Sequence, residues 1–204
     1  MRLVFISHIF PDGSDSWHGL ENVALLQSLA DRWQVRALVL RHTPGCHPRA
    51  ADVAFRPEFV TVPKRSFLGM GWHLRGVANA LRKPLDRLRR DWHFDAVLTA
   101  PLLPGTCAAA RLAEEFQFRF VALSNQDEGE QRLGESGIRK IVASSLARAA
   151  GVVTDSSALS ALLSETGFRK DRTTLVSKQE SVAEACHRLL LPVRGRGGKG
   201  RVES

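Results

Sequence analysis

The stretch at residues 94–124, FDAVLTAPLLPGTCAAARLAEEFQFRFVALS, decides how the rest of the chain is read. Ala96–Thr99 is a short continuous apolar run, as expected of a strand buried on both faces. Pro104–Phe116 is alanine-rich and helical in its spacing, and Phe118–Leu123 is a second apolar run. Strand, helix and strand at this spacing form a βαβ unit, whose right-handed crossover makes the two strands parallel.

The same alternation extends in both directions. Upstream, Leu3–Ile6 reads as a buried strand, followed by a Pro/Asp/Gly/Ser-rich loop, Pro11–Gly19. Leu20, Val23, Ala24, Leu26, Gln27 and Ala30 then keep roughly helical spacing, with Glu21 well placed in the first turn of the helix. Val35–Leu40 and Phe59–Val62 are further strands, the second closed by Pro63. Trp72–Arg90 is a long amphipathic helix striped by Leu74, Val77, Leu81, Leu85 and Leu88, which Pro84 is expected to kink or divide. Downstream, a polar loop Ser124–Gly129 leads to a helix over Gln131–Ala149 and a strand at Gly151–Thr154. Ser156 or Asp155 can cap the next helix, which carries Leu159, Leu162 and Leu163 and ends at Gly167. Thr173–Val176 is a last strand and Ser181–Leu191 a last helix. The expected fold is therefore α/β: a Rossmann-like, doubly wound parallel sheet of six or seven strands in one domain over residues 1–191.

Composition narrows the function classes. In 204 residues no apolar run approaches the roughly 18–20 that a membrane span needs, and Leu3–Ile6 is too short for a signal-peptide core. Cys46, Cys107 and Cys186 are odd in number and far apart, which gives neither a disulfide framework nor a zinc site; a reducing, cytoplasmic setting is expected. The seven histidines are scattered without metal-binding spacing, so neither metal nor other cofactor is expected. The formal charge of +8 points to an anionic partner. Part of it lies in a Gly/Arg-rich segment, residues 192–204, expected to be a disordered basic tail. Another part is the cluster Arg82, Lys83, Arg87, Arg89 and Arg90; with Phe67, Leu68 and Trp72 near the other end, it is expected to dock weakly on an anionic membrane surface. No pattern marks a specific nucleic-acid binder.

In a sheet of this kind ligands sit outside the carboxyl ends of the strands, so the loops there hold the candidate residues. Gly19 opens the first helix and can bring backbone close to a phosphate or sugar, although a glycine there is also ordinary turn chemistry. No Gly-x-Gly-x-x-Gly and no P-loop lysine accompany it. Asn125, Gln126, Asp127 and Glu128 follow the fifth strand and offer amides and carboxylates to hydroxyls, or a base; a polar loop also arises without function. Ser156-Ser157 lacks the Gly-x-Ser-x-Gly context of a nucleophile and reads as a helix cap.

These pieces, in this order, resemble the N-terminal, acceptor-side domain of family 4 GT-B glycosyltransferases, which are retaining nucleotide-sugar enzymes. The resemblance runs from Met1 to about Val176. It is carried by Phe10-Pro11, Gly19-Leu20-Glu21-Asn22, VALLQSLADRWQVRALVL, the stretch after Phe94, FRFVALS, and LARAAGVVTDSSALSALLSETGF. It implies a carbohydrate-biosynthesis transferase domain in which Gly19, Leu20 and Glu21 shape the floor of an interdomain cleft while Asn125 and Asp127 contact acceptor hydroxyls. No catalytic residue is singled out.

The departures matter as much. Gly19-Leu20 replaces the family's Gly-Gly, Asn125-Gln126 stands where a histidine is common, and Ala100-Pro101 where another is frequent. The residues after Val176 hold no counterpart of the donor-binding domain with its lysine or arginine and Glu-x7-Glu segment. The resemblance thus implies half an enzyme, inactive alone, whose donor site comes from a separate domain or partner transferase. The alternatives are a truncated, non-catalytic paralogue that binds a glycan, a lipid or a partner, and an unrelated nucleotide-binding module, against which the missing glycine fingerprint counts.

Overall fold

A computed structural model describes residues 1–11, 19–44, 55–64, 69–124, 136–165, 168–176 and 181–191. In chain order these form β1 (Arg2–Ser7), α1 (Leu20–Ala30), β2 (Gln34–Arg41), β3 (Glu58–Thr61), α2 (Met70–Trp92) and β4 (Ala96–Ala100). There follow a tight turn Leu102–Thr106, α3 (Cys107–Leu112), β5 (Arg119–Ser124), α4 (Ser136–Leu146), β6 (Gly151–Thr154), α5 (Ser157–Glu165), β7 (Thr173–Leu175) and α6 (Val182–Leu190). The expected tail, 192–204, lies outside the described residues.

The strands make one seven-stranded sheet in the order β3-β2-β1-β4-β5-β6-β7. Every neighbouring pair is parallel. In β1 the register is Leu3 opposite Val35 on one side and Ala96 on the other. Side chains alternate across the sheet. Leu3 and Phe5 pack with Leu26 and Leu29 of α1 and Cys186 and Leu190 of α6 on one face. Val4 and Ile6 pack with Val77, Leu81 and Leu85 of α2 and Ala108 of α3 on the other. That face continues under α4 and α5 through Val142, Leu146, Leu159 and Leu163. Helices on both faces explain why the strands read as unbroken apolar runs.

Two helices that contain or follow a proline differ from their sequence expectation. The helix expected over Pro104–Phe116 is a shorter α3 preceded by a turn in which Leu103 is extended (φ −121°, ψ 137°). A residue before proline is driven out of the helical region, so the extended Leu103 lies just outside the start expected for this helix; the helix also ends earlier than expected, at Leu112. Pro84, by contrast, does not divide α2, which runs unbroken through 23 residues. A proline inside a helix costs about 3 kcal/mol. Burial of Leu74, Val77, Leu81, Leu85 and Leu88 recovers roughly 1.5–3 kcal/mol for each side chain, enough to hold the helix together. At α5 the choice of cap is settled: the Leu159 amide donates to Ser156 Oγ at 3.2 Å. The first part of the helix expected over Gln131–Ala149 precedes α4 and lies outside the described residues.

The last helix is fastened to the first. The Trp33 indole N–H, at the end of α1, donates to His187 Nδ1 of α6 at 2.9 Å, with the two rings edge to face. Trp33 is only 2% exposed. An indole can only donate, so this contact requires an unprotonated imidazole nitrogen. Burial above all, and the nearby Arg32 guanidinium, hold the imidazole below its ordinary 6.5, while Glu184 partly opposes them. The unfolded chain therefore takes up this proton at higher pH than the folded one. The stabilisation is complete above about pH 6.5 and is lost as the pH falls from there through the folded value. Urea unfolding should show the wild type losing more stability between pH 7.5 and 5 than His187→Gln, which keeps an acceptor but cannot titrate. Identical losses would mean that the imidazole is not the sensitive group.

Candidate functional site

The direction of the sheet order reverses between β1 and β4, and the loops leaving their carboxyl ends bound the crevice where such folds bind ligands. The described start of the loop after β1 is held by side chains that bond its backbone. The Ile9 amide donates to Ser7 Oγ at 2.9 Å, and Asn22 Nδ2 of α1 donates to the Ile9 carbonyl at 2.7 Å. Arg41, at the end of β2, donates to the carbonyls of His8, at 2.7 Å, and of Phe10. Gly19 sits beneath this loop with φ +91°, and a Cβ there would lie 2.7 Å from Ile9 C and Phe10 N. The glycine is thus used for a close approach within the chain, the turn role that the sequence left open.

The loop after β4 forms an apolar wall. Pro101, Leu102 and Leu103 are buried. Its hydroxyls are spent internally: Thr99 and Thr106 share a hydrogen bond of 2.7 Å, and Thr106 donates to the Pro101 carbonyl at 3.0 Å. Polar groups for a ligand must come from elsewhere.

They occur in a pocket of about 240 Å³ between the first turns of α1, the end of β5 and the start of α6, lined by Glu21, Leu25, Ser28, Leu123, Ser181 and Val182. This volume lies below the roughly 300–1,000 Å³ of a typical small-molecule site. It suits a single sugar ring better than a nucleotide sugar. Glu21 is exposed on its rim, while Leu20, 38% exposed, does not line it. Asn125 and Asp127 lie outside the described residues, but the strand that leads to them supplies Leu123 to the pocket. Of the candidate site residues, Glu21 alone lies among the described residues that line this pocket.

The contribution of α6 was not legible in the sequence, because no local pattern reveals that α6 packs beside α1. Nor was the pairing of His42, after β2, with His73 of α2, whose rings lie 6.3 Å apart at the same carboxyl edge. His73 is buried and His42 exposed.

The remaining chemistry-bearing groups are accounted for differently. Cys107 and Cys186 are buried; burial pushes the Cys107 thiol up and the Cys186 thiol to about 12, which makes both inert as nucleophiles. Among the described residues, no group of three or more His, Cys, Asp or Glu side chains is placed to hold a metal. None of their helices is long and apolar enough to cross a membrane. Of the basic cluster on α2, Arg82 forms two hydrogen bonds with Glu115, at 2.9 and 2.8 Å. Arg87 pairs with Glu58, and Arg90 with Asp86 at 2.7 Å. Arg89 lies over the Phe94 ring.

No family model matches this sequence, and neither does any curated protein. Solved structures share the fold. Anabaena Alr3699/HepE in complex with UDP superposes with a TM-score of 0.54 at 14% identity, covering 85% of this chain and 43% of that one. Arabidopsis thaliana UGT89C1 complexed with UDP gives 0.52 at 12% identity, covering 87% and 53%. A UDP-N-acetylglucosamine 2-epimerase gives 0.54 at 13% identity, covering 85% and 47%. These neighbours have the GT-B architecture, and the chain spans about half the length of each.

The close approach at Gly19 can be weighed against backbone conformation alone. Gly69 has a similar φ of +94°, but a Cβ added there would meet nothing within 4 Å, whereas Gly19 has both the positive φ and the collision. Gly19→Ala should cost about 2–4 kcal/mol and Gly69→Ala about 1 kcal/mol, as read by urea denaturation. Equal costs would show that the contact with Ile9 and Phe10 contributes nothing.

Proposed function

We propose that this chain forms the acceptor-side half of a nucleotide-sugar-dependent glycosyltransferase of the retaining, family 4 kind, with the donor held by a second domain. The observation that carries this reading is the seven-stranded parallel sheet, matching about half of GT-B proteins that were solved with UDP bound. Two features favour the acceptor side over the donor side. The glycine at the start of α1 is occupied by the chain's own backbone, and the adjoining pocket has the size of one sugar ring.

In this reading Glu21 accepts a hydrogen bond from an acceptor hydroxyl at the pocket rim, and Asn125 and Asp127 reach the same sugar from the end of β5. Leu25, Leu123 and Val182 supply the apolar part of the pocket lining. The chain's part in transfer is then positioning, which fixes the attacking hydroxyl against a donor brought by the other half. Stabilising the departing diphosphate needs charge or several aligned donors. The residues assigned here offer a phosphate little beyond backbone amides, each worth about 0.5–1.5 kcal/mol after exchange with water.

Calorimetry with the 204-residue chain against UDP- and GDP-sugars should therefore give no saturable binding below the millimolar range, and turnover should stay at background. Micromolar affinity for any of them would overturn the assignment. Ser28→Trp, which fills the pocket from an exposed position, should abolish binding of an acceptor glycan while leaving the melting temperature near the wild-type value.

A further inference from the structure

The sheet ends at β3, which pairs with β2 and, among the described residues, meets no strand on its other side. Beside that edge lies a groove of about 710 Å³ between Glu58–Thr61 and the second half of α2. Two backbone features open onto it. One is the unpaired edge of β3. The other is the Ala80 carbonyl, whose helical partner would be the amide of residue 84, which proline lacks; both Ala80 and Pro84 line the groove.

The surroundings are basic. Lys83, Arg87 and Arg90 line the groove, with Glu58 and Asp86 as the carboxylates. Both carboxylates are engaged, by Arg87 and Arg90, and Lys83 makes no ion pair among the described residues. Arg36 is held below its ordinary value by burial first and then by the charges of Arg56, Arg2 and Arg87, while Asp91 opposes them. Exposed ion pairs of the Arg87–Glu58 and Arg90–Asp86 kind are worth about 0–1 kcal/mol, so an arriving carboxylate can share or replace them at little cost.

Charges along an edge strand guard it against pairing with a second copy of the same chain, which here brings the same +8. The same charges admit a strand of opposite sign. We propose that the outer edge of β3 accepts an extended acidic segment of a partner protein as an added strand, its carboxylates meeting Lys83, Arg87 and Arg90. Backbone pairing supplies the register, and the basic rim selects the partner.

The test uses the whole chain and a fluorescein-labelled peptide of alternating valine and glutamate, Val-Glu-Val-Glu-Val-Glu-Val. Anisotropy should show saturable binding, and amide shifts should concentrate at Glu58–Thr61 and along the second half of α2. Lys83→Glu combined with Arg90→Glu should weaken binding at least about tenfold, equivalent to 1.4 kcal/mol, and should favour the matching Val/Lys peptide instead. A peptide with alternate backbone amides methylated keeps every charge but cannot complete a ladder, and it should not bind. Absence of saturable binding overturns the proposal. So does equal binding of the methylated peptide, which would mean charge attraction alone. Sedimentation with phosphatidylserine vesicles without any binding of the peptide would assign the basic rim to a membrane surface instead.

Discussion

The architecture depends on the burial of β1 from every side. Leu3, Val4, Phe5 and Ile6 are fully buried, alternating between the α1 face and the α2 face. Both edges of the strand are also taken, by β2 and by β4. Each such side chain contributes roughly 1.5–3 kcal/mol of apolar burial. The strand also defines where the sheet order reverses, so the same residues that anchor the core place the crevice where folds of this kind bind ligands. Ser7, its last residue, joins the two roles: it is in register with Val39 and Ala100, and its hydroxyl turns the chain back at Ile9.

How much of this could be read from the sequence follows from how local each signal is. A strand buried on both faces needs only a short apolar run, and β6 occupies the four residues Gly151–Thr154 expected of it. Helix limits were legible where burial dominates, as in α2, and less so in α3, which ends at Leu112 rather than at Phe116. The fastening of α6 to α1 through Trp33 and His187, 154 residues apart, has no local signature at all. Gly19 shows an intermediate case. The sequence marked it as special and allowed two roles, and the path of the Ile9–Phe10 backbone, which no residue pattern reveals, gives it a close approach within the chain. For Asn125 and Asp127, the described part of the chain ends just before them, at Ser124.

The candidate site inherits its character from these constraints. Arg41 and Asn22 are committed to the carbonyls of the described start of the first loop, and Thr99 and Thr106 to each other, so these side chains are engaged within the fold. Polar capacity is displaced sideways to the pocket where α1 meets α6. Its rim carboxylate, Glu21, comes from a helix that both Gly19 and Trp33 hold in place. A modest surface of this kind is suited to orienting a small polar molecule for chemistry done mainly by other groups.

The parallel pairing of β1 also bears on how the chain is made. On the ribosome, β1 can pair with β2 once residue 41 has emerged, but its other edge waits for Ala96–Ala100. At about 5–20 residues per second this leaves a strand with the apolar run Leu3–Ile6 half-paired for some 3–12 seconds. No hairpin can shorten the interval, because parallel neighbours cannot be joined by a tight turn. The nascent chain therefore carries an adhesive β1 until β4 is made, and chaperone occupancy should be highest while residues between β2 and β4 are being added.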